Sequence, residues 1–127
     1  MTGSATTFQS YMRLRASGTD NTSSAYSCAG TRFTWDGSGG PSGYADSAAT
    51  FFTYNVNTGS GYKTGSPIFV NSPNVSAMTT YTTQHVGNGN AGYIHGVHTG
   101  TNSFDGVTFY TSTGTMSGIF RVYGISN

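Results

Sequence analysis

The amino-acid sequence predicts an all-β protein, an antiparallel β-sandwich or jelly-roll-like fold that residues 1–127 form as a single domain. Three observations favour this class. About eight short segments alternate apolar and polar residues with a period of two, as half-buried strands do. Clusters of glycine, asparagine, serine and proline separate these segments at intervals of roughly ten residues. No segment of about ten residues repeats its apolar positions with the period of an amphipathic helix.

The predicted strands follow one another along the chain with turn residues between them. In the first strand Met12 and Leu14 share a face, and we expect both to point into the core. The segment Asp36–Ser47 contains four glycines and one proline, which predicts a long irregular loop. The strands predicted before the C-terminal region are Phe8–Ser17, Ala25–Gly30, Thr31–Trp35, Ala49–Asn57, Pro67–Asn71, Ala77–Val86 and Tyr93–Thr99. The second and third of these become one strand if the chain bulges at Gly30.

A β-hairpin is predicted over Phe104–Ser126. Residues 107–112 alternate with a period of two, a polar break surrounds Gly114, and the alternation resumes over residues 119–125. Such a hairpin closes the chain by adding its last strand to a sheet. We expect two side chains of that strand in the core and two on the opposite, partner-facing side: Phe120 and Val122, then Arg121 and Tyr123.

Composition limits the classes of partner. Charged residues make up 7% of the chain, and five basic residues against four acidic residues give a net charge of +1. The basic residues do not cluster, so nucleic acid is not an expected partner. No apolar run approaches the roughly 20 residues that a membrane-spanning helix needs, so no membrane insertion is expected. Hydroxyl and amide side chains in place of charges favour a protein that is held in an assembly.

Residues that carry reaction chemistry are few. His95 and His98 are three apart, so in a strand they point to opposite faces and cannot bind one metal ion unless the chain bulges at Gly96. The four aspartates are isolated in the sequence and fit turns, which does not indicate the carboxylate pair of a glycosidase. Cys28 is the only cysteine and has no neighbouring base, so we expect a core residue and not a nucleophile. The protein is therefore predicted to be non-enzymatic and to use no cofactor or metal.

Aromatic residues near the glycine-rich loop favour a second kind of function, the binding of glycans. Trp35 precedes this loop, Tyr44 lies within it, and Tyr62 and Tyr93 lie in or beside other predicted loops. Exposed ring faces beside polar side chains are a common way to hold sugars. The same residue types also fill cores and subunit interfaces. Both interpretations stay open at this point, with Trp35 and Tyr44 as the candidate glycan or receptor loop.

Both ends of the chain resemble a known family. The closing residues, Val107-Thr-Phe109 and then Ser112-Thr-Gly-Thr-Met-Ser-Gly-Ile-Phe-Arg-Val-Tyr-Gly-Ile125, are similar to the end of small virion proteins of tailed bacteriophages, common in marine phages. The opening segment Tyr11-Met-Arg-Leu-Arg-Ala-Ser-Gly-Thr-Asp20 resembles the Leu-Arg strand and Ser-Gly-Asp turn of that family. The middle of the chain agrees in composition. Family members often carry further strands before the Leu-Arg strand.

The resemblance implies a β-sandwich component of a virion: a head decoration or fibre protein, a knob, or a tail-fibre domain. It carries over no catalytic residue. We expect a homo-oligomer, a trimer in the first instance, that contacts capsid or tail proteins in the virion. The candidate assembly interface consists of Arg13, Arg15, Arg121 and Tyr123, whose strands place them opposite the apolar face. The alternative is a glycan-binding tip that recognises host surface sugars through Trp35 and Tyr44.

Overall fold

The computed structural model describes residues 2–3, 8–34, 41–58, 67–71, 77–87 and 90–124. These residues form two antiparallel sheets packed against each other and a separate two-stranded ribbon. The prediction of an all-β sandwich is confirmed. Across the described ranges we find no helix with the length and apolar character needed to cross a membrane.

The described residues form eleven strands, nine in the two sheets and two in the ribbon. Sheet I has β2 at its centre, with β10 on one side and both β3 and β6 on the other. Sheet II has the strand order β5-β4-β9-β8-β7, and β1 pairs with β11 in the ribbon. The strands are β1 (Thr2–Gly3), β2 (Phe8–Ala16), β3 (Thr19–Asp20), β4 (Tyr26–Thr34), β5 (Ser42–Ala49), β6 (Phe52–Thr58), β7 (Ile68–Asn71), β8 (Thr79–Gly87), β9 (Asn90–His98), β10 (Gly106–Thr111) and β11 (Met116–Ser117).

The core lies between the two sheets. Met12 and Leu14 of β2 are fully buried, which confirms the predicted orientation of that strand. The ring of Phe52 in β6 lies 4.2 Å from that of Tyr81 and 4.8 Å from that of Tyr26, centroid to centroid, and so joins the sheets. Burying a side chain of this size stabilises the fold by about 1.5–3 kcal/mol. The buried apolar cluster also contains Cys28, Ile94 and Phe104, which confirms the prediction for the cysteine.

Tyr26 also connects the sheets through its hydroxyl group. This group accepts a hydrogen bond from the backbone N–H of Leu14 at 3.1 Å and donates one to the carbonyl of Asn21 at 2.9 Å. Burial raises the pKa of Tyr26, so the hydroxyl keeps the proton that the second bond needs. A buried aromatic ring with a satisfied polar end is the usual way in which tyrosine serves a core.

The prediction of an irregular loop over residues 36–47 is wrong in its second half. Ser42–Ala49 forms β5, which pairs with β4 from Arg32 opposite Ser42 to Tyr26 opposite Ala49. Residues 36–40 lie outside the described part of the chain. Glycine and serine have little intrinsic preference for strands. The segment Ser42–Ala49 becomes a strand because the edge of β4 supplies hydrogen-bond partners for its backbone. No bulge occurs at Gly30, because β4 and β9 pair in constant register through that residue.

The prediction of a second strand in the C-terminal hairpin is also wrong. β10 forms as expected, but it pairs with β2 near the other end of the sequence. The chain then bends, and two residues form β11 against β1. Residues 118–124, which we call the arm, form no strand. Phe120 is 48% exposed and Val122 is 92% exposed, so neither lies in the core where the alternation placed it. Alternation defines the two faces of a strand but not which strand it joins.

Candidate functional site

The outer face of sheet II presents apolar side chains to solvent. Phe33 of β4, Val86 of β8 and Tyr93 of β9 are each between about two-fifths and half exposed. The strand register brings them together, because Val86 lies opposite Ala91 and Ala91 lies opposite Phe33, with Tyr93 two residues further along β9. We call this group the outer patch. Single exposed apolar residues are ordinary, whereas a contiguous group on a flat sheet is typical of a contact surface.

The outer patch lies on a face without formal charge. The side chains that β4, β8 and β9 direct outward around it are Thr31, Thr82, Gln84 and His95. The imidazole Nδ1 of His95 lies 3.1 Å from the hydroxyl of Thr82, which is a neutral neighbour. A face of this kind suits burial against another neutral surface, since no charge has to be desolvated.

The outer patch was not predicted from the sequence, although one turn signal indicates the part of it that β8 and β9 form. The residues Gly87-Asn-Gly-Asn90 are a tight-turn signal between two strands. The pairing of Gly87 with Asn90 agrees with a two-residue connection, and residues 88–89 themselves lie outside the described ranges. That spacing alone places Val86 opposite Ala91.

The arm is the second exposed apolar surface. Ile119, Val122 and Tyr123 are more than three-quarters exposed. Phe120 connects the arm to a strand: its ring stacks on that of Phe109 at 4.5 Å, with the planes tilted by 17°. Phe109 itself packs against the core from β10. The arm therefore lies beside the β10 side of sheet I without joining it.

The predicted assembly residues divide into two groups. Arg121 and Tyr123 are exposed on the arm, as an interface requires. Arg13 donates from Nε to the carbonyl of Thr50 at 3.0 Å, and Arg15 pairs with Asp20 at 3.2 Å. These two arginines are half-buried on β2 and serve contacts within the chain. Their role in assembly stays a prediction.

The candidate glycan loop does not have the predicted geometry. Trp35 lies outside the described residues. Tyr44 is a half-buried residue of β5 and packs against the core, so the interpretation of this ring as one presented by a loop is wrong. Its hydroxyl donates to the carboxylate of Asp46 and lies 2.6 Å from the hydroxyl of Thr53. Burial, with the nearby Asp46 carboxylate, raises the pKa of Tyr44.

The histidines of β9 point to opposite faces, as their spacing predicted. His95 is exposed on the outer face, and His98 is buried with its ring edge-on to those of Tyr26 and Phe104. Nδ1 of His98 lies 3.2 Å from the backbone nitrogen of Gly100 and 3.3 Å from its carbonyl oxygen. Within the described part of the chain, no three histidine, cysteine or aspartate side chains come together as a metal site.

Burial lowers the pKa of His98, and the carbonyl of Gly100 opposes this in part. In the unfolded chain the pKa returns to about 6.5. As pH falls below that value, the unfolded chain takes up a proton that the folded chain resists, so the free energy of unfolding should fall. We expect His98→Gln to reduce this pH dependence in urea titrations between pH 7.5 and 5. Equal slopes for wild type and His98→Gln would contradict the assignment.

The fold and these surfaces define a class, an antiparallel β-sandwich with two exposed apolar surfaces. A cavity of ≈ 10 Å³ lined by Gly30, Tyr44 and Tyr93 holds no more than about one water molecule, so it is no ligand pocket. None of the protein-family models, curated proteins or solved structures compared with this chain matches it.

Proposed function

We propose that this protein is a non-enzymatic structural component of a tailed-bacteriophage virion, of the capsid-decoration, fibre or tail-fibre type. It acts as a homo-oligomer, which we expect to be a trimer, and it contacts capsid or tail proteins. The observation that carries the proposal is the arm. Residues 118–124 belong to the closing segment that resembles small virion proteins, and their apolar side chains are exposed on a folded sandwich. A free monomer rarely leaves such side chains to water.

The carboxylates of the described residues support a structural role. Asp20 pairs with Arg15 at 3.2 Å, and Asp105 accepts a hydrogen bond from the backbone N–H of Ser17 at 2.9 Å. The carboxylate of Asp46 accepts a hydrogen bond from the hydroxyl group of Tyr44. A glycosidase needs two carboxyl groups facing a shared cleft. Each of these three instead fixes local structure.

The alternative, a glycan-binding tip on the particle, has weaker support. Tyr44 uses its hydroxyl within the chain, and its ring packs against the core. A sugar platform needs a ring face open to solvent. Tyr93 of the outer patch has a half-exposed ring, with Gln84 and Thr31 on either side of it across the sheet. Glycan recognition would therefore involve that face and not the predicted loop.

The proposal is tested on particles. Virions from a phage that encodes this chain are purified on a density gradient, and the chain is quantified by peptide mass spectrometry and located by antibody labelling in electron micrographs. We expect several copies per particle, at a constant ratio to the major capsid protein across the gradient. The infected-cell lysate is the control for expression. Presence in the lysate together with absence from the particle fractions would overturn the proposal.

A further inference from the structure

We propose that the arm of one copy pairs, as an added antiparallel strand, with the edge of β10 that faces away from β2 in a second copy of this chain. This inference deepens the proposed function, because it names the contact through which copies associate. It rests on the strand-like sequence of the arm, on an edge of β10 of similar length along which the arm of the same chain forms no ladder, and on a register that the structure suggests.

The arm has the sequence of a strand but not its structure. β-branched and aromatic residues occupy most of the positions from Ile119 to Tyr123, and such residues favour a pleated, half-buried strand. In the folded chain these residues form no ladder, and Val122 is among the most exposed apolar side chains. A partner strand from outside the chain would satisfy this preference.

β10 offers the edge. It pairs with β2 along all six of its residues and ends the strand order of sheet I among the described residues. Six residues span about 20 Å and the seven residues of the arm about 23 Å, so the two lengths agree. β10 carries no charged side chain. A long, uncharged edge is what natural proteins usually cover or pair.

The contact between Phe120 and Phe109 suggests the register. If these two residues oppose each other in an antiparallel ladder, Val122 opposes Val107. Phe109 and Val107 are half-buried and face the core, since β10 places them opposite Met12 and Leu14. The added strand would then bury Phe120 and Val122 over the core, the orientation that the alternation of the sequence predicts.

The same register directs the other side chains outward. Tyr123 opposes Gly106, and Arg121 opposes Thr108, whose hydroxyl donates to the carboxylate of Asp20 at 2.6 Å. The single positive charge of the arm is thus placed near a negative one. Peptides that bind by strand addition use this combination of backbone hydrogen bonds and alternate side-chain contacts.

The ribbon explains why a second copy is the partner. In an intrachain hairpin Met116 would turn back along β10, but it pairs with Gly3 of β1 instead. The arm of the same chain is therefore held away from a continuous ladder, and the arm of a neighbouring copy is not. Exchange of an identical element between copies is a common route to oligomers. Each copy has one arm and one such edge, so the exchange can close as a ring.

The first test compares two lysine variants of the full chain by analytical ultracentrifugation. Val122→Lys and Tyr123→Lys alter residues that are 92% and 77% exposed, so we expect both variants to fold as wild type by circular dichroism. Val122→Lys should weaken association at least about tenfold, because the added strand would bury an unpaired ammonium group. Tyr123→Lys should leave association within about threefold of wild type, because that side chain points outward. A monomeric wild-type protein, or equal effects of the two variants, would overturn the proposal.

The second test locates the contact by a disulfide between copies. A tagged Tyr123→Cys chain is mixed with an untagged Gly106→Cys chain, refolded and oxidised. A Cβ at Gly106 meets nothing closer than 3.7 Å, and Cys28 is buried, so neither disturbs the experiment. We expect a tagged–untagged disulfide dimer. If the chain carrying both cysteines forms an internal disulfide and the mixture forms no mixed dimer, the arm pairs with its own β10 and the proposal is overturned. Both tests use purified protein, so their results are independent of the virion experiment.

Discussion

Phe52→Ala is expected to lower the free energy of unfolding by about 3–5 kcal/mol. The side chain is 0% exposed and lies between the two sheets, with its ring edge-on to Tyr26 and tilted against Tyr81. Its removal leaves a cavity that neither sheet can close without separating from its own hydrogen-bonded neighbours. Since small domains are stable by about 5–15 kcal/mol, this change takes a large part of the total.

The neighbouring residue supplies a control of the same size. Phe51 is half-buried on the other side of sheet I, where its ring packs 4.3 Å from that of Tyr11. Phe51→Ala should therefore have a clearly smaller effect, about half that of Phe52→Ala or less. Urea denaturation followed by circular dichroism measures both variants. A larger loss for Phe51→Ala would show that the core does not lie where the structure places it.

Gly92→Ala is expected to destabilise the protein by about 3 kcal/mol or more. A Cβ atom at this position in β9 would lie 1.9 Å from the backbone oxygen of Thr31 and 2.8 Å from Cε1 of His85. The first of these atoms belongs to the paired strand β4, so it cannot move without disturbing the ladder in the middle of sheet II. The absence of a side chain is therefore a packing requirement at Gly92.

Gly43 provides the matched control for this second change. It lies opposite Thr31 on β5, the strand on the other side of β4, and a Cβ atom there would meet nothing within 4 Å. We expect Gly43→Ala to change the free energy of unfolding by no more than about 0.5 kcal/mol. Thermal and urea unfolding of the two variants make the comparison. Similar losses at both positions would mean that backbone entropy, and not contact with Thr31, determines the effect.

Much of the fold was predictable because the local alternation of apolar and polar residues identifies a strand. The alternation around Met12 and Leu14 identified both the strand and its buried face, and the isolated Cys28 was correctly placed in the core. β5 was not predicted, because its glycine and serine residues have no strand preference and the segment becomes a strand only beside β4. Of the candidate site, Arg121 and Tyr123 are exposed, but they lie on the arm and not on the predicted strand, and their role in assembly stays a prediction. The outer patch required the register of three strands.

The sequence by itself determined the class of fold, the buried face of β2 and the separation of His95 from His98, because each depends on the two-residue period of a strand. Only the tertiary structure decided which strands are neighbours, because pairing depends on contacts between distant parts of the chain. The arm illustrates both. Its residues prefer a strand, but β10 pairs with β2 and β11 with β1, and the arm forms no strand within the described part of the chain.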